Sequence, residues 1–417
     1  MNLSSPPIDF PPRSAKISRM KCVLVAAALL SISHSQATDW PQWRGSNRNG
    51  ISTEKLSAHW PAEGPAVLWR ASVGTGFSAV SISEGRACTM GNTNDQETIW
   101  CLDALSGKSL WKHTYNSKLG AVYHEGGPVS TPTIQSNRIF TISKWGDVFC
   151  LDAAKGTLIW EHDLRHDGVI SNRWGFAGAP LLWHDLVILN AGAAGAALDR
   201  NTGRLVWLNG TNPTGYASPT LYHAAGKDSV LIFAAKHLVA LEPQTGQELW
   251  RFPWETGWDT NNPDPLIYRG QIFISSFSRG CALLALREGK PQLIYDKRTL
   301  HNHLSPGILL GEYLYAFNGE ARQQTDFRCI RLPTGDVQWT LKDPAFGSLI
   351  CADGKLLVLS EKGELLLGEP SPTRFNSLAR AQILAGLCWT PPVLANGLLY
   401  ARNSRGDLVC LNLKPAP

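Results

Sequence analysis

Charge is scarce in this chain, at 18% of 417 residues, and methionine occurs three times. Long apolar runs are missing too. The longest, Val23 to Ile32, has ten residues, about half of the roughly 20 that a helix needs to cross a hydrocarbon core, so no transmembrane segment is expected. No Lys/Arg cluster stands out. Arg13, Lys16, Arg19 and Lys21 fall with Asp9 alone in the first 37 positions, so of the formal +5 only +2 belongs to the rest. That balance offers a polyanion no footprint, and no nucleic-acid partner is expected. Cys-x-x-Cys-His is absent, which removes a covalently attached haem. No glycine loop opens a helix as a phosphate cradle does, and no Ser-His-Asp spacing stands out, so kinase and hydrolase readings have no support. In contrast, 38 Gly, 26 Pro, 16 Trp and 43% hydrophobic residues describe a folded globular chain with a large core, neither disordered nor collagenous.

The first 37 residues have the parts of a secretory leader. Lys21 precedes the apolar CVLVAAALLSI, and small residues Ser35 and Ala37 stand at the minus-three and minus-one positions of a cut after Ala37. The expectation is a signal peptide with an N-terminal extension over 1–37, and an exported product, periplasmic or extracellular. Cys22 opens the apolar stretch instead of closing it, so it is not placed for lipid attachment.

Repetition dominates the rest of the chain. CLDALSGKSLW (101–111), CLDAAKGTLIW (150–160), ALDRNTGRLVW (197–207), ALEPQTGQELW (240–250) and CIRLPTGDVQW (329–339) are copies of one phrase. They end on Trp111, Trp160, Trp207, Trp250 and Trp339, with a degenerate copy at Tyr295 and an outer-strand match at Trp69; successive steps are 42, 49, 47, 43, 45 and 44 residues. Short aliphatic runs alternate with turn residues inside each period, as in RIFTISKWGDVFCLDAAKGTLIW (138–160). A period near 45 with four strands predicts an all-β propeller, whose blades must stack to bury both faces. Seven units and an eighth of three strands are expected, the eighth (391–413) completed by AVLWRASV (66–73) so that no sheet edge is left open. Seven blades result instead if the weak unit 347–384 is an insertion.

The Gly of each phrase suits a tight hairpin, and the closing Trp is expected to dock on a neighbouring blade. The small residue opening each phrase, among them Cys101, Cys150, Ala285, Cys329 and Cys410, leaves it room. These cysteines therefore act as small buried groups; Cys88 with Cys101 is the one pair placed for a disulfide. The expected organisation is an arm over 38–65 and an eight-bladed propeller over 66–417.

The phrase ALDRNTGRLVW (197–207) resembles the docking motif of the pyrroloquinoline-quinone-like propeller family, and the resemblance covers about residues 66–413. It implies one of two roles. The family includes quinone- and calcium-dependent alcohol dehydrogenases and the non-enzymatic propeller of the outer-membrane β-barrel assembly machinery. The opening DWPQWRG (39–45) is similar to the start of exported propellers of this group. The enzymes usually carry an adjacent Cys-Cys ring, a Trp floor, and calcium held by Glu and Asn beside an Asp. This chain has no adjacent Cys-Cys and lacks their long inter-blade insertions.

The loops before the innermost strands are expected to ring one mouth of the channel. They carry His124 and Glu125; Arg173 and Trp174; Tyr216; Trp258, Asp259, Asn261, Asn262 and Asp264; His301 and His303; and Trp389. WDTNNPDP (258–265) offers oxygen donors of the kind calcium takes, or else forms an Asx-turn loop. His301 and His303 present two imidazoles, a metal pair if Asp259 or Glu125 supplies a third ligand. Arg173 suits a carboxylate by a bidentate fork, or stacks on Trp174. The expectation is a monomeric scaffold of the cell envelope, without cofactor, that binds a protein or small ligand at this mouth; the alternative is a dehydrogenase using pyrroloquinoline quinone and calcium.

Overall fold

Alternating aliphatic residues and glycine turns fold the chain into eight antiparallel sheets, each built on four strands. The computed structural model describes residues 1–2, 9, 38–61 and 63–415. Contacts divide the chain into Met1–Ser35 and Gln36–Pro417. The expected leader lies, apart from residues 1–2 and 9, outside the described residues.

Blade 1 consists of Ser81–Ser83, Arg86–Thr93, Gln96–Asp103 and Ser109–Asn116, and the next six blades repeat that meander in chain order. Blade 8 takes three strands from the C-terminus, ending with Asp407–Asn412, and its outer strand, Val67–Ser72, from the N-terminal side. The joint closes the ring and leaves no edge between first and last blades. Residues 347–382 form a full blade 7, so the count is eight.

A bulge aims each docking ring. Cys101 faces Trp111 while Leu102 faces Ser109, so Leu110 is the extra residue. The same slip precedes Trp69, Trp160, Trp207, Trp250, Tyr295 and Trp339. It turns the large ring off the sheet and onto the next blade. There the indole N–H donates to a turn carbonyl: Trp69 to Ala104, Trp111 to Ala153, Trp160 to Arg200, Trp207 to Pro243 and Trp339 to Ser371, all at 2.8–3.0 Å. The ring also covers the hairpin glycine. A Cβ on Gly203 would stand 2.5 Å from the Trp160 ring, so Gly is required for clearance as well as for its φ of +72°.

Two positions differ from expectation. Tyr295 faces Leu283, not Ala285, which pairs with Gln292; a narrower ring tolerates the larger neighbour, and its hydroxyl replaces the indole by donating to the Leu332 carbonyl at 2.7 Å. In blade 7 the docking position is Ala379, opposite Leu367, and Leu384 lies beyond the outer strand. All eight cysteines from Cys88 onward are buried and free; Cys88 and Cys101 face each other across neighbouring strands without a bond. Burial pushes the thiols of Cys150 and Cys410 up to about 12.

The arm enters the central channel. Trp40 bridges Ile82 of blade 1, and the Pro41 carbonyl accepts from the Ile134 amide of blade 2. Arg48 donates to the Pro180 carbonyl before blade 3, and Arg44 to the Gly307 carbonyl before blade 6. The chain then turns back, and Ile51–Ser52 adds a parallel fifth strand to blade 7. Glu54 and Lys55 finish at first-hairpin turns of blades 8 and 7. Those turns lie on the face opposite the loops before the innermost strands, because successive strands of a meander alternate in direction. The arm is therefore a plug inserted from the far side, with Trp43 and Arg44 at its tip.

Candidate functional site

Above the plug is a cavity of about 490 Å³. Trp43 is its floor, and its wall carries Phe77, Tyr123, His124, Trp174, Tyr216, Trp258, Phe277, His303 and Trp389. Thr131, Ser218, Thr260, Asn262, Asp264 and Glu320 to Arg322 supply the polar atoms. The volume is that of a drug-sized ligand, and a predominantly aromatic wall with few polar groups suits one.

The floor is tied by Asp264. One carboxylate oxygen accepts from Trp43 Nε1 at 2.6 Å, the other from the Ser218 amide at 2.7 Å. Arg44 and Arg48 lie near it, with pKa values lowered by burial to about 10 and partly restored by the Asp264 charge. Burial raises the Asp264 carboxyl, against those two cations and its hydrogen bonds.

Two neutral imidazoles line the wall. His124 Nδ1 accepts from the Gly126 amide at 3.0 Å and His303 Nδ1 from the Ala321 amide at 3.1 Å. Each therefore carries its proton on Nε2. Burial pushes both down to about 4, with Lys144 adding repulsion at His124. An unfolded histidine titrates near 6.5. Between about 4 and 6.5 the unfolded chain binds protons that the folded chain refuses, so stability is full above that window and is lost as pH falls through it. Replacing His303 with Gln is expected to flatten the fall of Tm between pH 7 and 4.5, read by calorimetry; an unchanged slope contradicts the burial argument.

At the rim, Arg173 lies 5.0 Å from the Tyr123 ring, 5.6 Å from Trp174 and 5.2 Å from Trp258. It donates to the Tyr123 hydroxyl at 3.2 Å, and among the described residues no carboxylate pairs with it. Tyr123 and Trp258 are 74% and 71% exposed, and both have left-handed backbone, with φ of 65°. Two bulky residues are thus held in an unfavourable conformation at the mouth, a kind of strain that collects at ligand clamps. Arg322 stacks on Trp389 at 5.0 Å and stands 3.8 Å from Glu125.

Of the residues singled out from sequence, His124, Trp174, Tyr216, Trp258, Asn262, Asp264, His303 and Trp389 line the cavity; Glu125, Arg173, Asp259, Asn261 and His301 do not. Asn261 is fully buried, its amide donating to the carbonyls of Ala234, Ala235 and Trp254. It ties two blades together. His301 Nδ1 lies 2.7 Å from the Phe277 carbonyl, and His301 is not part of the cavity wall that holds His303. Among the described residues no group of three or more His, Cys, Asp or Glu is placed to hold a metal ion. In the loop 258–265, Asp264 is engaged by Trp43 and Ser218, while the buried side-chain oxygens of Asn261 and Asn262 accept no hydrogen bond from the described residues.

Sequence reasoning missed Trp43, Phe77, Phe277 and Arg322. Phe277 and Arg322 sit on turns between second and third strands. Those turns share the mouth with the loops before the first strands, a consequence of strand alternation that the residues alone do not advertise.

The model of the family described as Outer membrane protein assembly factor BamB matches residues 95–341. Compared with curated protein sequences, the chain has no significant match. Among solved structures, it is similar to BamB from Moraxella catarrhalis with a TM-score of 0.62 and 16% identity, over 84% of this chain and 100% of that one. It is also similar to quinohemoprotein alcohol dehydrogenase from Comamonas testosteroni, with a TM-score of 0.62 and 14% identity over 91% and 81% of the two chains. For the quinohemoprotein alcohol dehydrogenase ADHIIG from Pseudomonas putida HK5 the values are 0.64, 13%, 91% and 82%. Such low identities establish a common fold and carry no chemistry. With the family model covering more than half of its length, the chain belongs to the family of the outer membrane protein assembly factor BamB.

Proposed function

We propose that this propeller is an exported, non-enzymatic binding protein of the cell envelope, and that its cup takes a small organic molecule against the aromatic wall. The observation that carries this reading is the convergence of rings from different blades on one blind cavity of about 490 Å³. Further support comes from the engaged state of the ionisable groups. Both oxygens of Asp264 and the Nδ1 of both imidazoles already hold hydrogen bonds within the protein. Groups so committed orient a ligand and are poorly free to take its protons.

The test is to recover the protein from the envelope of cells that export it, denature it, and identify the released small molecules by mass spectrometry. A drug-sized compound is expected on the unaltered chain. It should fall by about tenfold or more with Trp389→Ala, the effect of removing a central aromatic anchor. No such compound, or equal amounts on both chains, overturns the reading.

A further inference from the structure

Glu54, at the foot of the plug, is 5% exposed. Its carboxylate accepts from the Thr38 hydroxyl at 2.6 Å, from the Thr38 amide nitrogen at 3.3 Å, and from the amides of Asn396 and Gly397 at 2.8 and 2.5 Å. All four donors are neutral, and among the described residues no basic side chain pairs with it. A buried carboxylate with only neutral donors lacks the countercharge that ordinarily accompanies one. One of its neighbours is the nitrogen of Thr38, the residue that follows Ser35 and Ala37, the small pair of a leader-peptidase cut. The chain just beyond is pinned. Trp40 and Ile82 exchange two backbone hydrogen bonds at 2.9 and 2.8 Å, and an Asp39 oxygen accepts from the Glu84 amide at 2.9 Å.

We propose that the Ala37–Thr38 peptide bond is the processing site, and that Glu54 is the receptor carboxylate for the α-ammonium created on Thr38. Hydrolysis by a leader peptidase consumes one water, leaves a carboxylate on Ala37 and a free amine on Thr38, and the amine keeps the proton that the new acid releases. A neutral N–H beside Glu54 becomes a cation, and a long amide contact becomes a charge-assisted one. Processing then does more than release the chain: it completes the electrostatics that seat the plug under the cup.

Two measurements test this. The N-terminus of protein exported by cells making the full chain is expected to be Thr38 by mass spectrometry; any other start overturns the proposal. A chain beginning at Gln36, the first residue of the compact unit, and one beginning two residues later at Thr38 are then compared by calorimetry. The Thr38 chain is expected to melt about 2 °C higher, and Glu54→Gln to erase the difference. Equal melting of the two unaltered chains overturns the proposal. Should Glu54→Gln fail to fold, the amine of the Thr38 chain is titrated by NMR. A pKa above the ordinary value of about 8 for an α-amino group supports the pairing, and an ordinary value contradicts it.

Discussion

Truncation of Trp160 to Ala is expected to cost about 3 to 5 kcal/mol, the scale for removing a large aromatic from a packed core. The ring is 7% exposed, donates to the Arg200 carbonyl at 2.9 Å, and covers Gly203 of the next blade. Its loss opens a void between blades 2 and 3 and leaves that carbonyl with only the longer contact from Arg138 at 3.4 Å. With an unfolding entropy of about 2 cal/mol/K per residue, a cooperative chain of this size should lose about 5 °C in Tm. The neighbouring Ile159 is the control. It is the bulge residue, 41% exposed, and its truncation is expected to change stability by about 0.5 kcal/mol or less. Equal losses from both variants in denaturant titrations would mean that the docking interpretation is wrong.

Asp264→Ala is the second change with a large expected effect. It removes two hydrogen bonds to a charged acceptor, at about 1.5 kcal/mol each, for a total of about 3 kcal/mol. It also leaves Arg44 and Arg48 without the carboxylate whose charge supports them. Because the indole of Trp43 is held by that carboxylate, the cup floor loosens along with the stability. The expected signature is a lower denaturation midpoint together with increased quenching of tryptophan emission by iodide. A wild-type midpoint with unchanged quenching would show that the plug is held by its backbone contacts alone.

The ring of blades was legible because docking imposes one residue type at one position, so Trp111, Trp160, Trp207, Trp250 and Trp339 mark the period themselves. It faded where another residue met the same demand. Tyr295 supplies a hydroxyl in place of the indole N–H, and Ala379 in blade 7 supplies neither. The arm was legible as a segment and not as a plug. Its partners are mostly backbone groups, such as the carbonyls of Pro180 and Gly307, which leave no trace in residue identity. The cup was half legible. Loop position brought out Trp174, Trp258 and Trp389, whereas Asn261 turns its amide nitrogen onto three buried carbonyls away from the cavity. Donor type is written in a sequence; donor direction depends on the packed fold.

On the proposed reading, this propeller keeps a ligand cup without the calcium–quinone machinery found on the same fold. Calorimetric titration of the chain with pyrroloquinoline quinone, with and without calcium, addresses that most directly. No calcium-dependent binding is expected at micromolar concentrations. Calcium-dependent binding at micromolar affinity or tighter, with dye-linked oxidation of an alcohol in the loaded protein, would contradict it.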